Sequence, residues 1–183
     1  MRFDVPESLL QRLRQRREEQ RQERAKQVVA GPGIERREGN FIDTLRRFFS
    51  GGARVEEAAQ SYVHSMTSWQ EEIEDQQDAF LLDPGMGPMV YLTSDGRILE
   101  DSRGWDGDEV VEVTGYRANA ALVVGAKKTG IAELLGLIEP PPVGSKVCSK
   151  CKGTRMAAPV EGFGHEFPCE ACGARGWLSP ASL

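Results

Sequence analysis

Histidine is scarce in this chain, with two in 183 residues, and neither falls in an HExxH pattern. No GxSxG is present either, so neither a zincin helix nor a nucleophile elbow is encoded, and no hydrolase constellation is expected. Long apolar runs are missing. The longest, Ala120 to Ala126 and Ile131 to Ile138, fall far short of the roughly 20 residues a membrane-spanning helix needs. Met1 to Glu7 has no apolar leader core, and the expected location is cytoplasmic. Aromatic residues make up 7% of the chain, and none lies between Gln11 and Gln27, so base stacking is not expected there. Gly31-Pro32-Gly33 lacks the Lys-Ser/Thr ending of a phosphate loop. An excess of positive charge is absent as well: the net charge is -5, which is not the footprint of a nucleic-acid binder over the whole chain. The length leaves room for one ordinary domain and a small module.

Cysteine is absent before position 148, and its four occurrences near the C-terminus are the most informative feature of the sequence. Cys148-Ser-Lys-Cys151 and Cys169-Glu-Ala-Cys172 are two CxxC pairs with seventeen residues between them. Two residues between cysteines let one tight turn present both sulfurs to a single ion, and two such turns complete a tetrahedron. Four thiolates suit zinc and leave no open position for water, so the expected site is structural, with one Zn²⁺. A reducing compartment would keep these thiols free of disulfides. Thiol redox chemistry and an iron–sulfur centre are the alternatives. Gly153 and Gly173 stand next to the pairs, where glycine lets backbone N–H groups turn toward sulfur. Lys146, Lys150 and Lys152 flank the first pair and partly balance the charge of a tetrathiolate centre. They also form a candidate anion contact. Trp177, Phe163 and Phe167 are the expected apolar cluster beneath the site. A module of about thirty residues cannot support its own core, so metal binding and folding should be linked. His165 lies between the pairs and reads as a bystander.

These residues resemble the cysteine-rich module of DnaJ-type co-chaperones, built from CxxCxGxG repeats. Cys151-Lys-Gly153-Thr-Arg155 keeps the first glycine of the repeat and loses the second; Cys172-Gly-Ala174-Arg-Gly176 loses the first and keeps the second. There are two repeats where that family has four, and no His-Pro-Asp motif of a J-domain. The resemblance implies a ribbon-like zinc fold and does not extend to co-chaperone function.

Upstream, Pro6-Glu7-Ser8 opens a helix with an apolar patch at Leu9, Leu10 and Leu13. Beyond it, residues 11 to 26 hold seven basic and three acidic side chains. That stretch is either a solvated helix or a basic arm, with Arg14, Arg17 and Arg21 as candidate contacts to an acidic partner, RNA or DNA. Gly31-Pro32-Gly33 breaks it. Phe41, Ile42, Leu45, Phe48 and Phe49 mark a short helix ended by Gly51-Gly52. A longer helix is expected from Arg54 to Asp78, its apolar stripe running from Val55 through Trp69 and Ile73 to Phe80 and carrying His64. Glu71, Asp75 and Asp78 line one face of it, either as a solvated face or as an ion site or carboxylate pair. Residues 56 to 112 hold fifteen acidic side chains against two arginines. The positive arm can therefore fold back on this acidic middle or pair with it between chains.

Strands are expected at Met89–Thr93, Ile98–Glu100 and Val110–Thr114. The first two are joined at Asp95-Gly96 by a type I′ turn. Ala118–Ala126 is expected to be helical, Ile131–Leu137 a short helix, and Pro140-Pro141-Pro142 a stiff spacer. The stretch from Gly87 to Asp101, followed by Trp105, resembles the strand–Asp-Gly–strand core of the SUKH superfamily, α+β domains found in bacteria as immunity proteins against secreted toxins. That resemblance implies a partner-binding domain without catalysis, and the acidic middle would suit a basic toxin.

The expectation is thus an α+β protein with N-terminal helices, a small antiparallel sheet and a C-terminal zinc ribbon. Its parts are a charged helical arm (1–38), an α+β domain (40–139), a Pro-rich linker (140–144) and the ribbon (145–178). The metal ligands are Cys148, Cys151, Cys169 and Cys172, and the candidate partner contacts are Arg14, Arg17, Arg21, Lys150 and Lys152. The expected work is non-catalytic protein binding. The alternatives are a nucleic-acid-associated regulator, using the arm and ribbon, and a thiol-redox protein.

Overall fold

In a computed structural model the described residues are 2–29, 67–83, 88–103, 109–158 and 166–180. The Gly31-Pro32-Gly33 break, the short helix expected over 41–49, the start of the long helix with His64, the loop at Trp105, Phe163 and His165 lie outside them.

The architecture is α+β. Helix α1 (Glu7–Val29) is followed by helix α2, which covers residues 67–76. Four strands come next: β1 (Ala79–Asp83), β2 (Met89–Thr93), β3 (Ile98–Asp101) and β4 (Val110–Val113). They form one antiparallel sheet in the order β1-β2-β3-β4. Helix α3 (Gly115–Thr129) and a 3-10 helix (Ala132–Leu137) lead into the cysteine-rich segment.

Apolar side chains on both faces of the sheet explain the layering. Phe80, Leu82, Leu92, Ile98 and Val113 face a core completed by Ala118, Leu122 and Val123 of α3, by Leu134, and by Phe3, Leu9, Leu10 and Leu13 at the start of the chain. Ala79, Met89, Tyr91 and Leu99 face the other way, onto Ile73 and Trp69 of α2. Alternate residues of each strand thus point to opposite apolar layers. The first turns of the charged arm are core, since Leu9 and Leu13 are each 2% exposed.

Two expectations are corrected by this fold. The long helix does not continue to Asp78: it ends at residue 76, Asp78 has a positive φ of 42°, and Phe80 is a strand residue rather than part of a helical stripe. Strand β1 escaped detection because Ala-Phe-Leu-Leu is buried on both faces and therefore shows no period-two alternation. The β2–β3 turn is not type I′. Only Gly96 has a positive φ, 82°, and its N–H donates to the Thr93 carbonyl at 3.0 Å. That is a type I turn followed by a left-handed glycine. The glycine is needed twice over, because a Cβ there would lie 1.9 Å from the Phe3 carbonyl oxygen.

Candidate metal centre

The cysteine-rich segment is two arms, 146–157 and 167–178, related by a local two-fold repeat and paired with each other through their strands. Strand β5 (Lys146–Val147) pairs with β8 (Trp177–Leu178), and β6 (Met156–Ala157) pairs with β7 (Phe167–Pro168). Each residue of the first arm has its counterpart 21 positions on, as Cys148 has Cys169 and Cys151 has Cys172. The hydrogen bonds repeat in the same way. The Cys148 N–H donates to the Gly176 carbonyl at 3.0 Å and the Cys169 N–H to the Arg155 carbonyl at 2.8 Å; the Thr154 N–H donates to Cys151 and the Arg175 N–H to Cys172. The backbone repeats even where the glycines do not. The first repeat glycine position is Gly153 (φ 84°) in one arm and Ala174 (φ 57°) in the other; the second is Arg155 (φ 67°) and Gly176 (φ 88°). Gly176 cannot be replaced as its counterpart is, because a Cβ there would sit 2.9 Å from the Gly153 carbonyl oxygen.

The four cysteines are free thiols with side chains 0–4% exposed. All four Sγ atoms lie within 4.8 Å of one another. Cys148 and Cys169 are 3.9 Å apart, Cys151 and Cys172 3.7 Å. A tetrahedron of metal–sulfur bonds of about 2.3 Å has edges of roughly 3.8 Å, so the donor set fits one tetrathiolate ion. In a multi-iron cluster the thiolates are divided among the irons, which would hold those on different irons farther apart.

Electrostatics favour a cation among these sulfurs. Burial opposes ionisation of Cys148, but backbone N–H groups of Cys151 and Lys150 and the neighbouring thiols outweigh it and bring Cys148 down to about 7. Burial pushes Cys172 up to about 12, against the Gly176 N–H and with help from Cys151 and Cys169. Cys169 is also raised, chiefly by burial. Four thiols in one dry cluster cannot all ionise without an opposite charge among them.

The ribbon is fixed to the rest of the chain mainly through the second arm, with Arg155 and Met156 the contacts from the first. Asn119 of α3, 7% exposed, donates its Nδ2 to the Gly173 carbonyl at 2.9 Å, and the Tyr116 hydroxyl donates to the Pro168 carbonyl at 3.1 Å. Lys127 pairs with Glu166 at 2.8 Å. Ala174 is fully buried and belongs to the main core. Arg155 reaches the Leu135 carbonyl at 3.3 Å, and Trp177 Nε1 donates to the Glu139 carbonyl at 3.3 Å. The two positions where the repeat departs from glycine, Arg155 and Ala174, are therefore docking points. The sequence displays those departures without their meaning, and it carries no signal that marks Asn119. Of the expected aromatic cluster, Trp177 is buried beneath the Arg175 guanidinium, 4.3 Å from its ring, whereas Phe167 is half exposed.

The other expected contacts divide into two groups. Arg14 pairs with Glu7 at 3.0 Å and Asp78 at 3.6 Å. Arg17 pairs with Asp78 at 3.0 Å, donates to the Glu74 and Ala79 carbonyls, and stacks over Phe80. Arg21 pairs with Glu74 and Asp75 at 3.1 and 2.7 Å. The basic helix thus lies against the acidic helix of the same chain. Its key carboxylate, Glu74, is 1% exposed, shared by Arg21 and Arg24, and was not singled out from sequence. Glu71 lies 4.0 Å from Arg24. Lys150 and Lys152 are exposed and, among the described residues, make no ion pair.

Comparisons with family models, curated proteins and solved structures gave no match to this chain. No described helix is long and apolar enough to cross a membrane.

Proposed function

We propose that this protein is a non-catalytic zinc-binding interaction module, its tetrathiolate centre holding one structural Zn²⁺ and its work being the binding of another protein. The observation that carries this reading is the set of four buried sulfurs at the edge lengths of one tetrahedron. A saturated thiolate set has no open coordination position for substrate or water. Arginines of α1 hold Asp75 and Asp78, which leaves less free acid for paired-carboxylate chemistry. The resemblance of the β2–β3 hairpin to the SUKH core supports a finer reading, neutralisation of a toxin by direct binding. A nucleic-acid role is less well supported, because Arg14, Arg17 and Arg21 already have partners within the chain.

Elemental analysis of the purified chain with parallel thiol titration tests the metal reading. The expected result is one zinc per chain, with four thiols becoming reactive as it is removed. Iron with visible thiolate-to-metal absorption, or two disulfides and no metal, would overturn it.

A further inference from the structure

We infer that the first arm of the ribbon is a docking surface for an acidic helix of a partner protein, gripped as the second arm grips α3. The inference rests on the interaction-module reading and names the surface and the partner's chemistry. Its basis is the two-fold repeat. Two arms with the same backbone present the same face, and the second arm's face is already used: Pro168 and Gly173 give their carbonyls to Tyr116 and Asn119 of a helix, and Ala174 is buried. The corresponding face of the first arm, at Val147, Lys152 and Gly153, is open. Val147 is 69% exposed, and Lys152 and Gly153 are exposed.

The side chains on and beside that open face differ from their counterparts in one consistent way. Lys146, Lys150 and Lys152 stand where the docked arm has Phe167, Ala171 and Gly173. All three lysines are exposed and make no ion pair among the described residues. Unpaired cations around an exposed valine and a row of turn carbonyls suit a helix with carboxylates at its margin and a donor side chain toward the arm. A second copy of α3 is a poor fit, because its last turn carries Lys127 and Lys128. A nucleic-acid backbone bound through phosphate would use the lysines but not the carbonyls, since phosphate offers no donor to them.

The test uses the zinc-loaded full chain, labelled with ¹⁵N. It is titrated with a synthetic Ala/Glu helix carrying Tyr and Asn three residues apart, and with the same peptide bearing Lys for every Glu. A single-stranded oligonucleotide and a DNA duplex serve as further probes. The expected result is saturable shifts of the Lys150, Lys152 and Gly153 amides with the acidic helix alone. In the Lys150→Glu/Lys152→Glu double variant, affinity should fall about tenfold with zinc content unchanged. Equal binding of both peptides, or no shift at these amides, would overturn the inference. So would preferential binding of either oligonucleotide, or self-association that the double variant abolishes. Cross-linking that places a protein partner on the sheet or α1 would overturn this surface while leaving the interaction-module reading intact. A purified chain without bound zinc would bring down that reading itself.

Discussion

Removing the metal should weaken the whole chain, because the ribbon shares the main core. Without the ion, the short strand pairs and the cysteine cluster have too little apolar area to stay folded. Besides the exposed Lys127–Glu166 pair, four hydrogen bonds from side chains are then lost: Asn119 to Gly173, Tyr116 to Pro168, Arg155 to Leu135 and Trp177 to Glu139. At a net contribution of about 1 kcal/mol each they sum to roughly 4 kcal/mol. The Ala174 methyl, fully buried, adds about 0.8 kcal/mol. Against a typical total of about 5–15 kcal/mol this is a large share. With a urea m-value of about 2 kcal/mol/M, the midpoint of β2 and α3 should fall by about 2 M on chelation. Hydrogen exchange along a urea series, read separately for β2, α3 and the ribbon, measures it. If the ribbon lost its protection while β2 and α3 kept their midpoints, the ribbon would be an appendage and the coupling argument would be refuted.

Further expected outcomes concern three single residues. Gly176→Ala should release zinc to a chelator at lower concentration than the parent, because its Cβ would meet the Gly153 carbonyl at 2.9 Å. Ala174→Gly should keep zinc affinity and lose part of the coupling to α3, and equal behaviour of the two variants would count against the two-fold repeat. Asp78 is partly buried, which opposes its ionisation, but hydrogen bonds from Ser94 and Arg17 outweigh burial and hold its carboxyl below the usual range. A carboxylate more acidic when folded stabilises fully above about pH 5, and that stabilisation disappears as pH falls through the folded value. Asp78→Asn should therefore lose less urea stability than the parent between neutral pH and about pH 3, and identical pH profiles would remove Asp78 from the account.

The cysteine cluster that could hold a metal could be read from the sequence because metal-ligand spacing is local. A two-residue spacing fixes how a turn presents its sulfurs, whatever surrounds it, and Cys148, Cys151, Cys169 and Cys172 do converge. The β2–β3 hairpin could be read for a similar reason, since an Asp-Gly turn between apolar runs is a short-range signal. The terms that depend on distant partners could not. Strand β1 looks like the end of a helical stripe until both sheet faces are known to be covered. Arg17 and Arg21 look solvated until α2 is placed beside α1, where Glu74 loses its water and takes two guanidinium groups in exchange. Ala174 and Arg155 look like lost glycines until α3 and the 3-10 helix arrive, one offering a core for the methyl and the other a carbonyl for the guanidinium. Residue order along the chain was enough to say which atoms can bind the ion. Which faces of the ribbon are held, Gly173 and Ala174 by α3 and Arg155 by the 3-10 helix, was settled only by tertiary packing, because the two arms share a backbone and differ in what packs against them.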